Sequence, residues 1–256
     1  MPHIEKHKPG SFSWMELGTS DQNAAKQFYG SLLGWKFEDH PMGPDQVYTM
    51  FGFDGKDIAG CYSTSLSPGM PPNWGIFIAV EDTDPVVSRA EQLGGKILRP
   101  AMDVGEYGRM AVIQDPTGAV FDVWKPKSHS GMGVAGENGT LCWADLMTDD
   151  REGAKTFYEG LFGWRLDPGK GKDPSGYLHI QNGEDYIGGV QTKPNPQAPP
   201  HWLLYFQVAD CDASTAKAKQ LGAQVYVPPM TIEGQLTFSV LADPQGAAFA
   251  LFQPGH

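Results

Sequence analysis

Apolar positions along the first part of the chain alternate between two periods. Ala24, Ala25, Phe28, Tyr29, Leu32 and Leu33 fall at the spacings of an amphipathic helix. Asp21 precedes them as an N-cap, and Gly34 stands where a left-handed stop belongs. Around this helix, Phe12 to Leu17, Val47 to Phe53 and Ile58 to Tyr62 have strand-like content. The cycle then restarts. Trp74 to Val80 predicts a strand, and Asp84 with Pro85 as first helical residue predicts a helix. Its buried stripe is Val86, Val87, Ala90 and Leu93, and Gly94-Gly95 ends it. Lys96 to Leu98, Ala111 to Gln114 and Val120 to Trp124 predict further strands, with a turn at Asp115-Pro116-Thr117-Gly118. The pattern is βαβββ, twice over.

The whole pattern then recurs. Trp14-Met15-Glu16-Leu17 returns as Trp143-Ala144-Asp145-Leu146, Phe28-Tyr29 as Phe157-Tyr158, and Gly34-Trp35 as Gly163-Trp164. Further on, Pro71-Pro72-Asn73-Trp74 returns as Pro199-Pro200-His201-Trp202, and Asp115-Pro116 as Asp243-Pro244 one residue earlier in register. One deletion between the copies accounts for the change. The expected fold is α+β: four βαβββ modules forming two tandem units, 11–126 and 140–254, with helices on one face of curved mixed sheets. Residues 127–139 are Gly- and Ser-rich and read as a flexible linker.

This arrangement resembles the vicinal oxygen chelate superfamily, which includes glyoxalase I, bleomycin-resistance proteins and extradiol dioxygenases. The resemblance rests on Thr19-Ser20-Asp21 with Phe28-Tyr29, on Leu32-Leu33-Gly34-Trp35, on Asp115 to Asp122, and on their second copies. In its tandem layout the chain is most similar to two-unit actinobacterial proteins labelled glyoxalase-like or hydroxylase, a mycobacterial culture-filtrate antigen among them. The resemblance implies two glyoxalase-like domains whose sheets curl into cups, with a divalent metal at the cup floor on His and Glu side chains. The corresponding positions here hold Trp14, Gly75 and Asp122 in the first unit, and Trp143, Leu203 and Ala250 in the second. Only Asp122 is a ligand type. The expectation is therefore no cofactor; the alternative is a divalent metal on a shifted set drawn from Glu16, Asp122, His179 and His201.

Without the metal, the first cup is expected to hold Trp14, Glu16, Tyr48, Trp74 and Asp122. The second is expected to hold Trp143, Asp145, Tyr177, His179 and Trp202. Aromatic walls with a carboxylate suit an apolar or cationic small molecule, and Glu16 and Asp145 are the candidates for acid–base chemistry. Arg109, in a Gly-rich turn, reads as a solvated charge, and His3, His7, His129 and His256 are given no role. The primary expectation is a metal-free protein that binds a small organic molecule. The alternatives are a metal-dependent glyoxalase-like lyase, isomerase or dioxygenase, and a metal-independent enzyme with Glu16 or Asp145 as general base.

Charge and cysteines narrow the classes further. Lys+Arg 19 against Asp+Glu 30 gives a net charge of −11, without the basic footprint that nucleic acid requires. Cys61, Cys142 and Cys211 are odd in number and lack Cys-x-x-Cys spacing, so free thiols in a reducing cytoplasm are expected. The N-terminus has no apolar run of the signal-peptide kind, and no stretch suggests a membrane span. A monomer and a homodimer are both open.

Overall fold

The computed structural model describes residues 3–44, 46–66, 69–168, 176–232 and 234–255. The first unit runs β1 (Phe12–Thr19), α1 (Gln22–Leu33), β2 (Lys36–Gly43), β3 (Gln46–Phe53), β4 (Lys56–Ser63), β5 (Asn73–Ala79), α2 (Thr83–Gln92), β6 (Lys96–Val104), β7 (Gly108–Gln114) and β8 (Val120–Pro126). The second repeats it with β9 (Leu141–Met147), α3 (Arg151–Phe162), β10 (Arg165–Asp167), β11 (Leu178–Asn182), β12 (Asp185–Gln191), β13 (His201–Gln207), α4 (Cys211–Gln220), β14 (Gln224–Ile232), β15 (Leu236–Ala242) and β16 (Ala248–Pro254).

Each unit builds its own 8-stranded mixed sheet, in the orders β2-β3-β4-β1-β5-β8-β7-β6 and β10-β11-β12-β9-β13-β16-β15-β14. The central strands β1 and β5 are antiparallel, and each pairs in parallel with the last strand of its own module, β4 and β8. Both modules of a unit therefore contribute to one cup. No helix among the described residues is long and apolar enough to cross a membrane.

Local chemistry sets the helix ends. The Asp21 side chain accepts from the Ala24 N–H at 3.0 Å, and Gly34 closes α1 at φ +79°, a conformation that costs a Cβ-bearing residue about 1–2 kcal/mol. Asp150 and Gly163 repeat the arrangement in α3. In α2 the sequence misleads. The N-cap is Asp82, so Pro85 sits at the third helical position and Asp84 lies in the first turn.

Two further differences have simple causes. β2 was not expected because all eight of its residues are exposed, which removes the alternation that marks a strand. Its charges and Pro41 suit an unpaired sheet edge. The segment 127–139 has no helix or strand, but it is packed rather than loose. Met132 and Val134 are buried, and the Met132 and Gly133 N–H groups donate to Ser13 and Asp57 carbonyls at 2.7 and 2.8 Å.

The helices lie against the sheet faces opposite the cups, with α1 against α4 and α2 against α3, and the main apolar core runs through both units. Two reciprocal polar clasps sit within it. The Tyr29 hydroxyl donates to Asp243 Oδ2 at 3.0 Å and accepts from Trp74 Nε1 at 2.9 Å. The Tyr158 hydroxyl donates to Asp115 Oδ2 at 2.8 Å and accepts from Trp202 Nε1 at 3.3 Å. Each aspartate's other oxygen accepts three backbone N–H groups of its own Asp-Pro turn. The indoles reciprocate too: Trp35 Nε1 donates to the Gly139 carbonyl and Trp164 Nε1 to Gly10. This is the self-complementary pattern of a two-fold interface, built within one chain.

Candidate functional site

Strand register defines the cup faces. Glu16 lies opposite Gly60 on β4 and opposite Gly75 on β5. Side chains two apart share a face, so Trp14, Glu16, Phe77 and Tyr62 face the first cup, as do Asp122 on β8, opposite Phe77, and Arg99 on β6, in line with it through Val112. A Cβ added to Gly75 would stand 3.7 Å from both Asp122 Oδ2 and the Glu16 carbonyl. The Asp122 carboxyl thus reaches over a floor position that carries no side chain, and Glu16 stands on the neighbouring strand with its carboxyl turned to Tyr48.

Glu16 is held in place. The Tyr48 hydroxyl donates to its Oε1 at 2.6 Å and accepts from Trp14 Nε1 at 3.3 Å. Gly60 makes this possible, because any Cβ there would collide with the Tyr48 hydroxyl. Burial raises the Glu16 pKa, while Tyr48, Arg99 and Trp14 oppose the rise. Burial and the neighbouring Glu16 charge push Asp122 well above the ordinary carboxylate range, with Arg99 opposing and no hydrogen bond contributing. Burial and the same two carboxyls raise Tyr62 to about 12. The site is a carboxyl pair with one member anchored and the other unpaired, both partly open to the cup.

The second cup has the same ancestry and a different interior. Asp145 accepts from Trp143 Nε1 at 2.9 Å, Tyr177 at 2.7 Å, Gln191 at 2.7 Å and Tyr205 at 2.9 Å. Burial raises its pKa, and those four bonds oppose the rise. Both oxygens are committed and the residue is buried. Where the first cup has Gly18, Gly75, Phe77 and Asp122, the second has Met147, Leu203, Tyr205 and Ala250, which pack into an apolar cluster of their own. His179 stands edge-on to Tyr177 at 4.9 Å, and its Nδ1 is buried without a partner.

Most of the expected site residues gather as two sets: Trp14, Glu16, Tyr48 and Asp122, and Trp143, Asp145, Tyr177 and His179. Trp74 and Trp202 do not join them. They point to the opposite face, into the helix layer, where their indoles serve the clasps. Both flanks of β5 and β13 are apolar, so the sequence did not reveal which residues face the cup. Asp145 belongs to the frame of a filled cup. Arg109 is tied to Asp84 by two 3.0 Å bonds at the surface. Tyr62, Phe77 and Arg99 were missed; even spacing from Gly60 and Gly75 could have suggested the first two, whereas the bulge between Ile97 and Arg99 hides the third. His129 was given no role. Its ring packs edge-on against Trp14 at 4.6 Å, so the connecting segment forms part of the first cup's wall. His256 lies outside the described residues.

The family's metal chemistry requires several inward donors. Trp14 has no free lone pair, Gly75 has no side chain, and among the described residues no group of three or more His, Cys, Asp or Glu is placed to hold an ion. The residues present therefore do not fit the family's metal.

Comparison with known proteins agrees with the architecture. Residues 11–123 match the profile of the Glyoxalase/Bleomycin resistance protein/Dioxygenase superfamily, and residues 143–252 match a Glyoxalase-like domain. A Mycobacterium tuberculosis protein named "Putative glyoxylase CFP32" is 39% identical over 99% of this chain and 98% of its own. The anthracycline biosynthesis protein DnrV of Streptomyces peucetius is 34% identical over 98% of this chain and 95% of its own. Among solved structures, the Mn(II)-bound glyoxalase from Novosphingobium aromaticivorans superposes with a TM-score of 0.67 at 15% identity, covering 97% of this chain and 83% of that one. A catechol 2,3-dioxygenase gives 0.65 at 13% identity, covering 98% and 90%. The chain therefore belongs to the glyoxalase/bleomycin resistance protein/dioxygenase superfamily, as a tandem member with two glyoxalase-like domains.

Proposed function

We propose that this protein binds one small, flat organic molecule per chain in the first cup, without the metal of its family. The observation that carries this reading is the unpaired Asp122 carboxyl, set over the side-chain-free Gly75, with an anchored Glu16 on the neighbouring strand. Asp122 is partly open and makes no hydrogen bond among the described residues, so its carboxyl is available to a ligand atom. Tyr62, partly exposed on the same face, supplies aromatic surface beside the pair, over the buried Trp14 and Phe77. The second cup differs: both Asp145 oxygens are committed, and Met147, Leu203 and Tyr205 stand where the first has Gly18, Gly75 and Phe77. The relatives named for anthracycline biosynthesis support a polycyclic aromatic ligand.

The test is titration with 2-(hydroxymethyl)anthraquinone, a flat neutral quinone, followed by tryptophan quenching and native mass spectrometry. One molecule per chain is expected, unchanged by dialysis against EDTA or Mn²⁺. No binding, two molecules per chain, or binding only after Mn²⁺ addition overturns the reading.

A further inference from the structure

The first cup holds more acid than its own bases offset. Glu16 approaches from β1 and Asp122 from β8, and the cation acting on both is Arg99 of β6. Tyr62 of β4 and Tyr48 of β3 are the other titratable groups facing them. Tyr48 is committed to Glu16. With both carboxyls ionised, one negative charge remains unmatched among these groups, and it falls on Asp122, which has no hydrogen bond to share it. An unpaired acceptor lies on the same face, further along β5 beside Tyr62. Asn73 Oδ1 is buried without a partner, and a Cβ on Gly18 would lie 3.3 Å from it and 3.1 Å from the Tyr62 hydroxyl. Asn73 Oδ1 and an ionised Asp122 are both acceptors, so they suit a ligand that donates. Aromatic faces beside them favour a positive charge on that donor.

We propose that the ligand of the first cup is an organic cation: a protonated amine on a flat apolar body, with its ammonium on Asp122 and its body beside Tyr62. This rests on the binding reading above and names the ligand class for that same site. The second cup shows the contrast. There Ala250 replaces Asp122, and the remaining carboxylate, Asp145, has its charge met by four donors. That cup also shows that the fold accepts loss of the carboxyl at this position.

Binding must then be linked to a proton. Burial and Glu16 raise the Asp122 pKa, and an ammonium on its carboxyl favours the ionised form. The affinity for an amine rises with pH, up to about tenfold per unit below the free cup's Asp122 pKa, and levels off above it. A neutral ligand shows no such slope.

The experiment uses three matched probes on the full chain: 1-naphthylmethylamine, 1-naphthylmethanol and 1-naphthoate, titrated between pH 5 and 8. The amine is expected to bind about tenfold or more tightly than the alcohol at pH 8, with naphthoate weakest. Asp122→Asn is expected to erase the amine's advantage and its pH slope while leaving the alcohol within about twofold. If the alcohol equals the amine in the native protein, or Asp122→Asn leaves the advantage intact, the cation assignment is wrong and the binding reading stands. If none of the three binds, the cup is not an aromatic site and both readings fall.

Discussion

Replacing Tyr29 by Phe deletes one oxygen from the centre of the junction between the two units. That oxygen is buried and makes two bonds: it accepts from Trp74 Nε1 at 2.9 Å and donates to Asp243 Oδ2 at 3.0 Å. Neither partner has a substitute in the apolar core around it. Two stranded polar groups at roughly 1–3 kcal/mol each give a loss of about 2–6 kcal/mol. For a chain of this length, Tm falls by about 2–4 °C per kcal/mol. The Tyr158→Phe change strands Asp115 Oδ2 in the same way but breaks a longer indole bond, 3.3 Å, so its cost lies toward the lower end of that range. Urea unfolding followed by far-UV circular dichroism measures both. Tyr186→Phe, at a hydroxyl on a 43% exposed side chain, serves as the control and should cost less than about 0.5 kcal/mol. A Tyr29→Phe loss no larger than the control's would refute the clasp as a stabilising element.

Two other expectations concern the first cup. Because burial raises the Asp122 pKa in the folded chain, its contribution to stability is full below the ordinary carboxylate range and is lost as pH rises through the folded value. Asp122→Asn should therefore raise Tm more at pH 8 than at pH 5; an equal shift at both pH values contradicts the assignment. Gly60→Ala places a methyl where the Tyr48 hydroxyl sits and should cost about 1–3 kcal/mol by overpacking. Urea midpoints read this directly, and an unchanged midpoint would mean that Tyr48 has another place to go.

Much of the architecture was legible because the repeat carries its own markers. Asp21, Gly34 and their second copies fix helix ends through local bonds that need no knowledge of the rest of the fold. The face of a strand is a different matter. β5 and β13 are covered on both sides, so Trp74 and Gly75 look equally internal, and only the pairing with Glu16 shows which one meets the cup. The carboxyl pair was half visible: Glu16 and Asp122 stood out singly, but Gly75 between them and the Arg99 field arise from register across strands far apart in sequence. Phe-Tyr and Asp-Pro-x-Gly were visible as motifs, yet their pairing across units is a tertiary fact. Asp145 looked like Glu16 in sequence and differs because Tyr205 and Gln191, where the first cup has Phe77 and Tyr62, turn their polar ends onto it.

The decisive measurement is ligand stoichiometry after the first cup is given the second cup's floor. Gly75 has room for a Cβ at 3.7 Å from its neighbours, and Leu203 already occupies the same place in the other sheet. Native mass spectrometry of Gly75→Leu with 1-naphthylmethylamine should show a folded protein with no bound molecule, against one per chain in the parent. A Gly75→Leu protein that still takes up one molecule per chain would place the ligand elsewhere and contradict the account.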